Sequence, residues 1–271
     1  MSCPSLSISI VTYKPDHQQF AEALVSLDKA AIALESRRPG MNIKLTVVDN
    51  GDEATAMQDL LVLVPTAACE LVSSKQNVGY GRGHNLAITT TDSNYHLIMN
   101  PDVILDELAL VAGIECLESD QRIVAVSPEA TNGAGEKLYL CKKFPSVIDL
   151  GLRGFAPGFL KAMFNTRLAA YENRAVVDKG LMTSVDLISG CFMLCRTAVL
   201  KKAGGFNSAF FLYFEDFALS LELKKHGTLI YLPTCKIVHF GGDAGKKGFK
   251  HVMYFVDSAI KFFRMYGWKF V

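Results

Sequence analysis

The sequence predicts an α/β fold: an open, mostly parallel, twisted sheet flanked by helices, closed by an amphipathic helix at the carboxyl end. Three observations predict it. Short β-branched runs alternate with helical periodicities through the first half of the chain. The segments between runs have the length of crossover helices, which argues for parallel strands and right-handed connections. Carboxylates, amides and glycines follow the carboxyl ends of the runs, where open α/β sheets bind their ligands.

Taken in order, "LSISIVTYK" alternates small polar and β-branched residues and stops at Pro15, a first strand. Asp16 is placed to cap a helix in which Phe20, Ala23, Leu24, Leu27, Ala31 and Leu34 keep helical spacing until "RRPG". "IKLTVVDNG" is a second strand and residues 54–64 a short helix. "CELVSS" is a third strand, "GHNLAITTT" a helix, "YHLIMNPDV" a fourth strand and "DELALVAGIECLES" a helix, before the strand "IVAVSPEA". Residues 131–182 mix Gly, Pro, basic and aromatic residues without a sustained period and are expected to form a substrate-facing insertion. Regularity returns with the strand "VDLISGCFMLCR" and the helix "TAVLKKAGGF", which stops at a glycine pair. A helix follows Glu215–Asp216, and "CKIVHFGGD" is a last strand.

The chain has 271 residues, 50% hydrophobic and 20% charged, the balance of a folded protein. Six basic and two acidic residues give residues 241–271 a charge of +4, which leaves −3 for residues 1–240 out of a total of +1. Seven scattered cysteines, an odd number mostly inside apolar runs, argue against a disulfide framework and for a reducing, cytoplasmic setting. Met1–Ser9 lacks the pattern of a signal peptide, and no run approaches the roughly 18 apolar residues that span a bilayer.

Four strand ends carry candidate chemistry: Thr12–Tyr13, Asp49–Asn50, the loop "QNVGYGRGHN", and Asn100–Asp102. Glycines at 79, 81 and 83 between a strand and a helix let backbone amides approach a phosphate, or simply make a turn. Asp102 offers a hard divalent cation one carboxylate beside substrate phosphates, or ends a strand in an ordinary turn. Glu215 and Asp216 follow five apolar or aromatic residues, so they are candidates for a raised pKa and base chemistry, or for capping the next helix. His239 ends a β-branched strand. Cys191 and Cys195 fit core packing better than a metal site.

In order, "SIVTYKPD", "VVDNG", "NVGYGRGHN", "IMNPDV", "SGCFMLCRTAVLKKAGGFNSAFFLYFED" and "IVHFGG" resemble the inverting glycosyltransferases of family 2, which have the Rossmann-like GT-A fold. Within that family the chain is similar to bacterial dTDP-rhamnosyltransferases of O-antigen and polysaccharide assembly, through N-P-D in place of D-x-D, G-x-G-H-N, Lys143–Pro145 and the S-G-x-F-M-L strand. The resemblance implies one domain over 1–240, with a nucleotide-sugar half (1–128) and an acceptor half (129–240), and a basic amphipathic tail over 241–271. It implies Thr12, Tyr13 and Asp49 around the nucleoside, and Gly79, Arg82, Asn85 and Asn100 on the donor. Asp102, helped by His239, would hold Mg2+ or Mn2+. Asp216 would be the general base and Glu215 its positioning partner. The donor implied is dTDP-L-rhamnose and the acceptor a polyprenyl-diphosphate-linked glycan. Asn100 replaces the first carboxylate of D-x-D, and Ala218 and Glu222 stand where relatives carry Asp and Arg.

Other readings stay open: a UDP-sugar donor, a silent sugar-nucleotide-binding subunit, or a nucleotidyltransferase, whose glycine loop belongs near the first strand, where "TYKPD" supplies none. The tail sets Val252, Phe255, Val256, Ala259, Phe263 and Tyr266 on one helical face among Lys246, Lys247, Lys250, Lys261, Arg264 and Lys269. Such a helix either lies in a membrane interface, Tyr266 and Trp268 at headgroup level, peripheral to the inner face of the plasma membrane, or packs on the domain or a second subunit. Nucleic acid is not expected, since no reading motif accompanies the basic tail.

Overall fold

The computed structural model describes residues 4–241 and 248–271. The first half reads β1 (Ser5–Thr12), α1 (His17–Arg37), β2 (Asn42–Asp49), α2 (Ala54–Leu60), β3 (Ala68–Ser73), α3 (Tyr80–Thr90), β4 (Tyr95–Met99), β5 (Val103–Leu105), α4 (Ala109–Ser119) and β6 (Ile123–Thr131). The second half reads β7 (Lys137–Leu138), β8 (Cys141–Lys142), α5 (Val147–Phe155), α6 (Gly158–Met163), α7 (Asn165–Tyr171), α8 (Arg174–Asp178), β9 (Thr183–Val185), β10 (Leu187–Ile188), β11 (Phe192–Arg196), α9 (Thr197–Lys202), α10 (Glu215–Lys224), β12 (Thr228–His239) and α11 (Phe249–Tyr266).

One sheet runs β3-β2-β1-β4-β11-β6-β12-β5. β3, β2, β1 and β4 are parallel, β11 runs antiparallel between β4 and β6, and β6 and β12 are parallel again. The alternation read from the sequence therefore yields the α/β sheet expected. α1 forms where it was expected: Asp16 accepts from the Gln18 and Gln19 N–H at 3.0 Å, and all six apolar positions named above are buried. Each of the Phe and Leu side chains among them contributes about 1.5–3 kcal/mol on leaving water, before the entropy of ordering it.

The structure departs from expectation where strands meet the cavity. "YHLIMNPDV" is two strands, because Pro101 has no N–H to continue the ladder: Asn100 N–H donates to Cys191 O at 2.9 Å, and β5 crosses to pair with β12 at the far edge. "VDLISGCFMLCR" is likewise broken, at Asp186 and at Ser189–Cys191, into the end of β9, which pairs with β12, β10, which pairs with β8, and β11, which joins β4 and β6. The insertion 131–182 contains four short helices, α5 to α8, the first closed by a capping box between Ser146 and Asp149. Each is too short to show a period. The division expected at 128/129 falls inside β6.

The tail helix α11 turns Phe255, Ala259, Phe262, Phe263 and Tyr266 onto Phe210, Phe214, Ala218 and Leu150, so much of the face offered to a membrane packs on the domain. Val256 remains exposed, together with Met253 and Ile260. Beyond the helix, Trp268 stacks on Phe263 and Phe270, and Val147 and Ile148 N–H donate to Lys269 O and Phe270 O. Lys246 and Lys247 lie outside the described residues. Among those described, no helix is long and apolar enough to cross a membrane, and six cysteines are free.

Candidate active site

The carboxyl ends of β1, β4 and β12 and the start of α10 enclose a cavity of about 510 Å3. Its two ends carry carboxylates in different settings.

At one end the antiparallel register His239↔Val103 carries the last residue of β12 beside the residue before β5. His239 Nε2 lies 3.4 Å from Asp102 Oδ1 and 3.3 Å from Asn100 Nδ2. A Cβ at Gly241 would collide with Asp102 Oδ2, so only glycine leaves this carboxylate its place. The donor set is one carboxylate oxygen and one imidazole nitrogen facing a cavity, which suits Mn2+ or Mg2+ with its other positions left to phosphate and water. Among the described residues no group of three or more His, Cys, Asp or Glu converges on one point.

At the other end Glu215 and Asp216 open α10, where the helix amino terminus favours negative charge. The two residues before them, Tyr213 and Phe214, both hold left-handed backbone, φ 71° and 64°, which costs on the order of 1–3 kcal/mol each for residues with a Cβ. Apolar packing of Phe210 and Phe214 against α11 holds that turn in place. Asp216 Oδ2 accepts from Gly190 N–H at 3.0 Å and Oδ1 from Phe217 N–H at 2.9 Å. Glu215 Oε2 is buried with no hydrogen-bond partner among the described residues. Burial, then the charge of Asp216, pushes Glu215 up to about 8. Burial also raises Asp216, held back by the Gly190 and Phe217 N–H groups.

Between the two ends, the Tyr80 hydroxyl donates to Gly190 O at 2.6 Å, and burial raises it well above its ordinary range. Cys191 is pushed up to about 12 by burial, and the charges of both Asp102 and Asp216 add to that rise. The two ends thus share one electrostatic space.

The residues singled out in the sequence divide into two groups. Tyr13, Asn100, Asp102, Glu215, Asp216 and His239 line the cavity. Thr12, Asp49, Gly79, Arg82 and Asn85 do not. Thr12 is buried with its hydroxyl on Val48 O, and both Asp49 oxygens accept backbone N–H groups, from Gly51 at 2.7 Å and Glu53 at 3.0 Å. Arg82 is spent on Ser208 O, and Asn85 exchanges two hydrogen bonds with the Phe206 backbone. The glycine loop is mostly helix: a Cβ at Gly81 would lie 2.7 Å from Phe206 Cβ, and one at Gly83 2.8 Å from Val11 Cγ1. These glycines let α3 sit close to β1 and the 206 loop, which is a packing requirement.

Sequence reasoning did not single out Lys14, Tyr80, Ser189 or Gly190, which also line the cavity. Lys14 follows Tyr13 with φ 48° and was within reach of the strand-end argument. Tyr80 and Ser189 carried no signal, because their partners are more than 100 positions away or across a strand break.

No family model matches the chain. Among curated proteins it is 24% identical over 222 residues to the N-acetylglucosaminyl-diphospho-decaprenol L-rhamnosyltransferase of Mycobacterium tuberculosis, an alignment that covers 78% of this chain and 69% of that protein. It is 27% identical over 171 residues to the rhamnosyltransferase WbbL of Escherichia coli, covering 60% of this chain and 61% of the relative. Among solved structures, the mannosyltransferase PcManGT from Pyrobaculum calidifontis in complex with GDP-Man and Mn2+ aligns at TM-score 0.59 and 16% identity, over 96% of this chain and 65% of that one. With the mixed sheet and the cavity at its strand ends, these likenesses identify the chain as a glycosyltransferase of the GT-A fold, similar to proteins named rhamnosyltransferases.

Proposed function

We propose that the chain is an inverting rhamnosyltransferase, moving L-rhamnose from dTDP-L-rhamnose to a hydroxyl of a polyprenyl-diphosphate-linked glycan in bacterial surface-polysaccharide synthesis. One observation carries the chemistry: a carboxylate–imidazole pair and a buried acidic pair line one cavity. The relatives supply the sugar and the acceptor class.

In this reading residues 1–128 hold the donor and 129–240 the acceptor. Tyr13 offers a ring to the nucleoside, and Lys14 offers charge to the diphosphate. Thr12, Asp49, Gly79, Arg82 and Asn85 shape the donor side from behind, through the backbone contacts above. Asp102 and His239 would hold the divalent cation, which when bound offsets the charge that builds on the departing nucleoside diphosphate.

Asp216 takes the proton of the acceptor hydroxyl as that oxygen attacks the anomeric carbon from the face opposite the leaving group. Its two backbone hydrogen bonds fix the carboxylate, and each oxygen keeps a lone pair for the proton. Burial and the Asp216 charge raise Glu215 to about 8, so it does not compete for that proton, and the Gly190 and Phe217 N–H groups favour the carboxylate on Asp216. A single displacement needs no enzyme nucleophile, and Cys191, held as a thiol, supplies none.

The enzyme works in the cytoplasm, peripheral to the inner face of the membrane that carries its acceptor. The exposed apolar residues of α11 and the final segment, among Lys250, Lys261, Arg264 and Lys269, favour that placement. Purified protein given dTDP-L-rhamnose, Mg2+ or Mn2+ and a lipid-linked GlcNAc acceptor releases dTDP. Absence of turnover with any nucleotide sugar overturns the enzymatic reading, and preference for a UDP-sugar corrects the donor.

A further inference from the structure

The insertion places an excess of positive charge behind the acidic pair. Glu172 is nearly buried and meets three cations: Arg153 Nε at 3.0 Å, Arg174 Nη2 at 2.8 Å and Lys142 Nζ at 3.4 Å. Arg167 is matched separately by Asp149 at 2.7 Å. Even with Asp178, which accepts from the Tyr139 hydroxyl beneath the Arg174 guanidinium, four cations face three carboxylates. Lys142 is buried. Burial and then the Arg153 charge bring it down to about 8 against the pull of Glu172.

The cluster is tied to the chemistry. Lys142 lies on β8 opposite Leu187 of β10, and β10 leads into Gly190, whose N–H holds Asp216. The charge of Arg153 reaches Asp216 and favours its carboxylate. Arg153 is also the half-exposed member of the cluster, in the last turn of α5. α5 packs on α6, and between them they leave Val147, Ile148, Phe159 and Met163 exposed. A cation on a helix that, with α6, leaves apolar side chains exposed matches an anion that carries a hydrocarbon chain.

Resting on the reading above, we propose that Arg153, held by Glu172, binds the diphosphate of the lipid-linked acceptor, with the α5–α6 surface seating the start of its isoprenoid chain. Lys142 and Arg174 are positioning residues, since they act on the anion through Glu172 and the field they add.

Titration of the whole protein with GlcNAc-diphospho-farnesol and with octyl β-GlcNAc tests this. The wild type is expected to bind the diphosphate ligand more tightly than the neutral glycoside. Arg153→Ala and Arg153→Gln should weaken only the diphosphate ligand, by about 10- to 100-fold, with Arg153→Lys recovering part of the loss. Affinity for dTDP should not change. Equal losses on both acceptors, no loss on either, or a fall in dTDP affinity overturns the proposal. So does a matching loss of binding to phosphatidylglycerol vesicles, which assigns Arg153 to bulk anionic lipid. Transfer from dTDP-L-rhamnose is measured in parallel: if the binding split is present and transfer absent, the rhamnosyl reading fails and the phosphate site stands.

Discussion

Asp102 and Asp216 line the same cavity, but the fold treats them differently. Asp102 has a side chain 26% exposed, with an imidazole beside it and a glycine behind it, set where a short edge strand meets the end of β12. Asp216 is fastened by two N–H groups at a helix amino terminus, beside a buried carboxylic acid and walls of Phe and Tyr. The first setting suits a group that exchanges water and phosphate around a cation. The second suits one that must keep a raised proton affinity, which requires dryness and a fixed neighbour. The proposed reaction uses both, and the cavity lies where the parallel half of the sheet meets its mixed half.

Asp216→Asn attacks the dry end and has the largest expected effect: transfer falls by about 10²–10⁴-fold while dTDP binding, followed by thermal shift, stays. Full activity in that variant removes the base role. Asp102→Ala attacks the wet end; the Mn2+-dependent gain in dTDP affinity should shrink by about 10-fold or more with the acceptor affinity untouched, whereas unchanged metal dependence relocates the cation.

Glu215→Gln separates the two ends by pH. Glu215 folds with its pKa raised to about 8 from an ordinary 4.5, so between those values the folded chain keeps a proton the unfolded chain has released. Stability is therefore lost as pH rises through that window, by up to about 1.4 kcal/mol per unit. Chemical unfolding at pH 6.5 and pH 8 should show the wild type losing stability relative to Glu215→Gln, any histidine contribution being common to both chains.

The acid side has its own limit. Burial, then the charge of His96, lowers His84 well below 6.5, and burial lowers His96 to about 3. Both stay neutral in a chain of hydrogen bonds through Ser9 and Ser7. Unfolding releases them to take up protons, so stability falls as pH drops below 6.5, at most about 2.7 kcal/mol per unit for the pair. A flat stability curve between pH 6.5 and 5 contradicts this.

Gly81→Ala gives the smallest of the expected effects on activity and the sharpest test of the glycine loop. In an exposed helix this change stabilises; here the new Cβ meets Phe206, and overpacking should cost about 1–3 kcal/mol while dTDP affinity holds. Loss of dTDP affinity without loss of stability would restore the phosphate role.

The contrast between the ends also explains what was legible in the sequence. β1, α1 and β2 were readable because their periods are long and the cap at Asp16 is local. Asn100–Asp102 and Glu215–Asp216 were readable because a carboxylate after an apolar run is a local anomaly. The role of the glycines at 81 and 83 was not legible, since a glycine that admits Phe206 and one that admits a phosphate look the same in one dimension. α5 to α8 were too short for a period to declare itself, and the cluster on Glu172 joins residues from 142 to 174 that only the fold brings together.

The most direct test of a base at Asp216 acting across the cavity from Asp102 is the anomeric configuration of the product, followed by proton NMR during transfer from dTDP-L-rhamnose to a GlcNAc-diphospho-lipid acceptor. A rhamnoside of configuration opposite to the donor, formed with release of dTDP, is the predicted result. A product that retains the donor configuration, or hydrolysis without transfer, contradicts it.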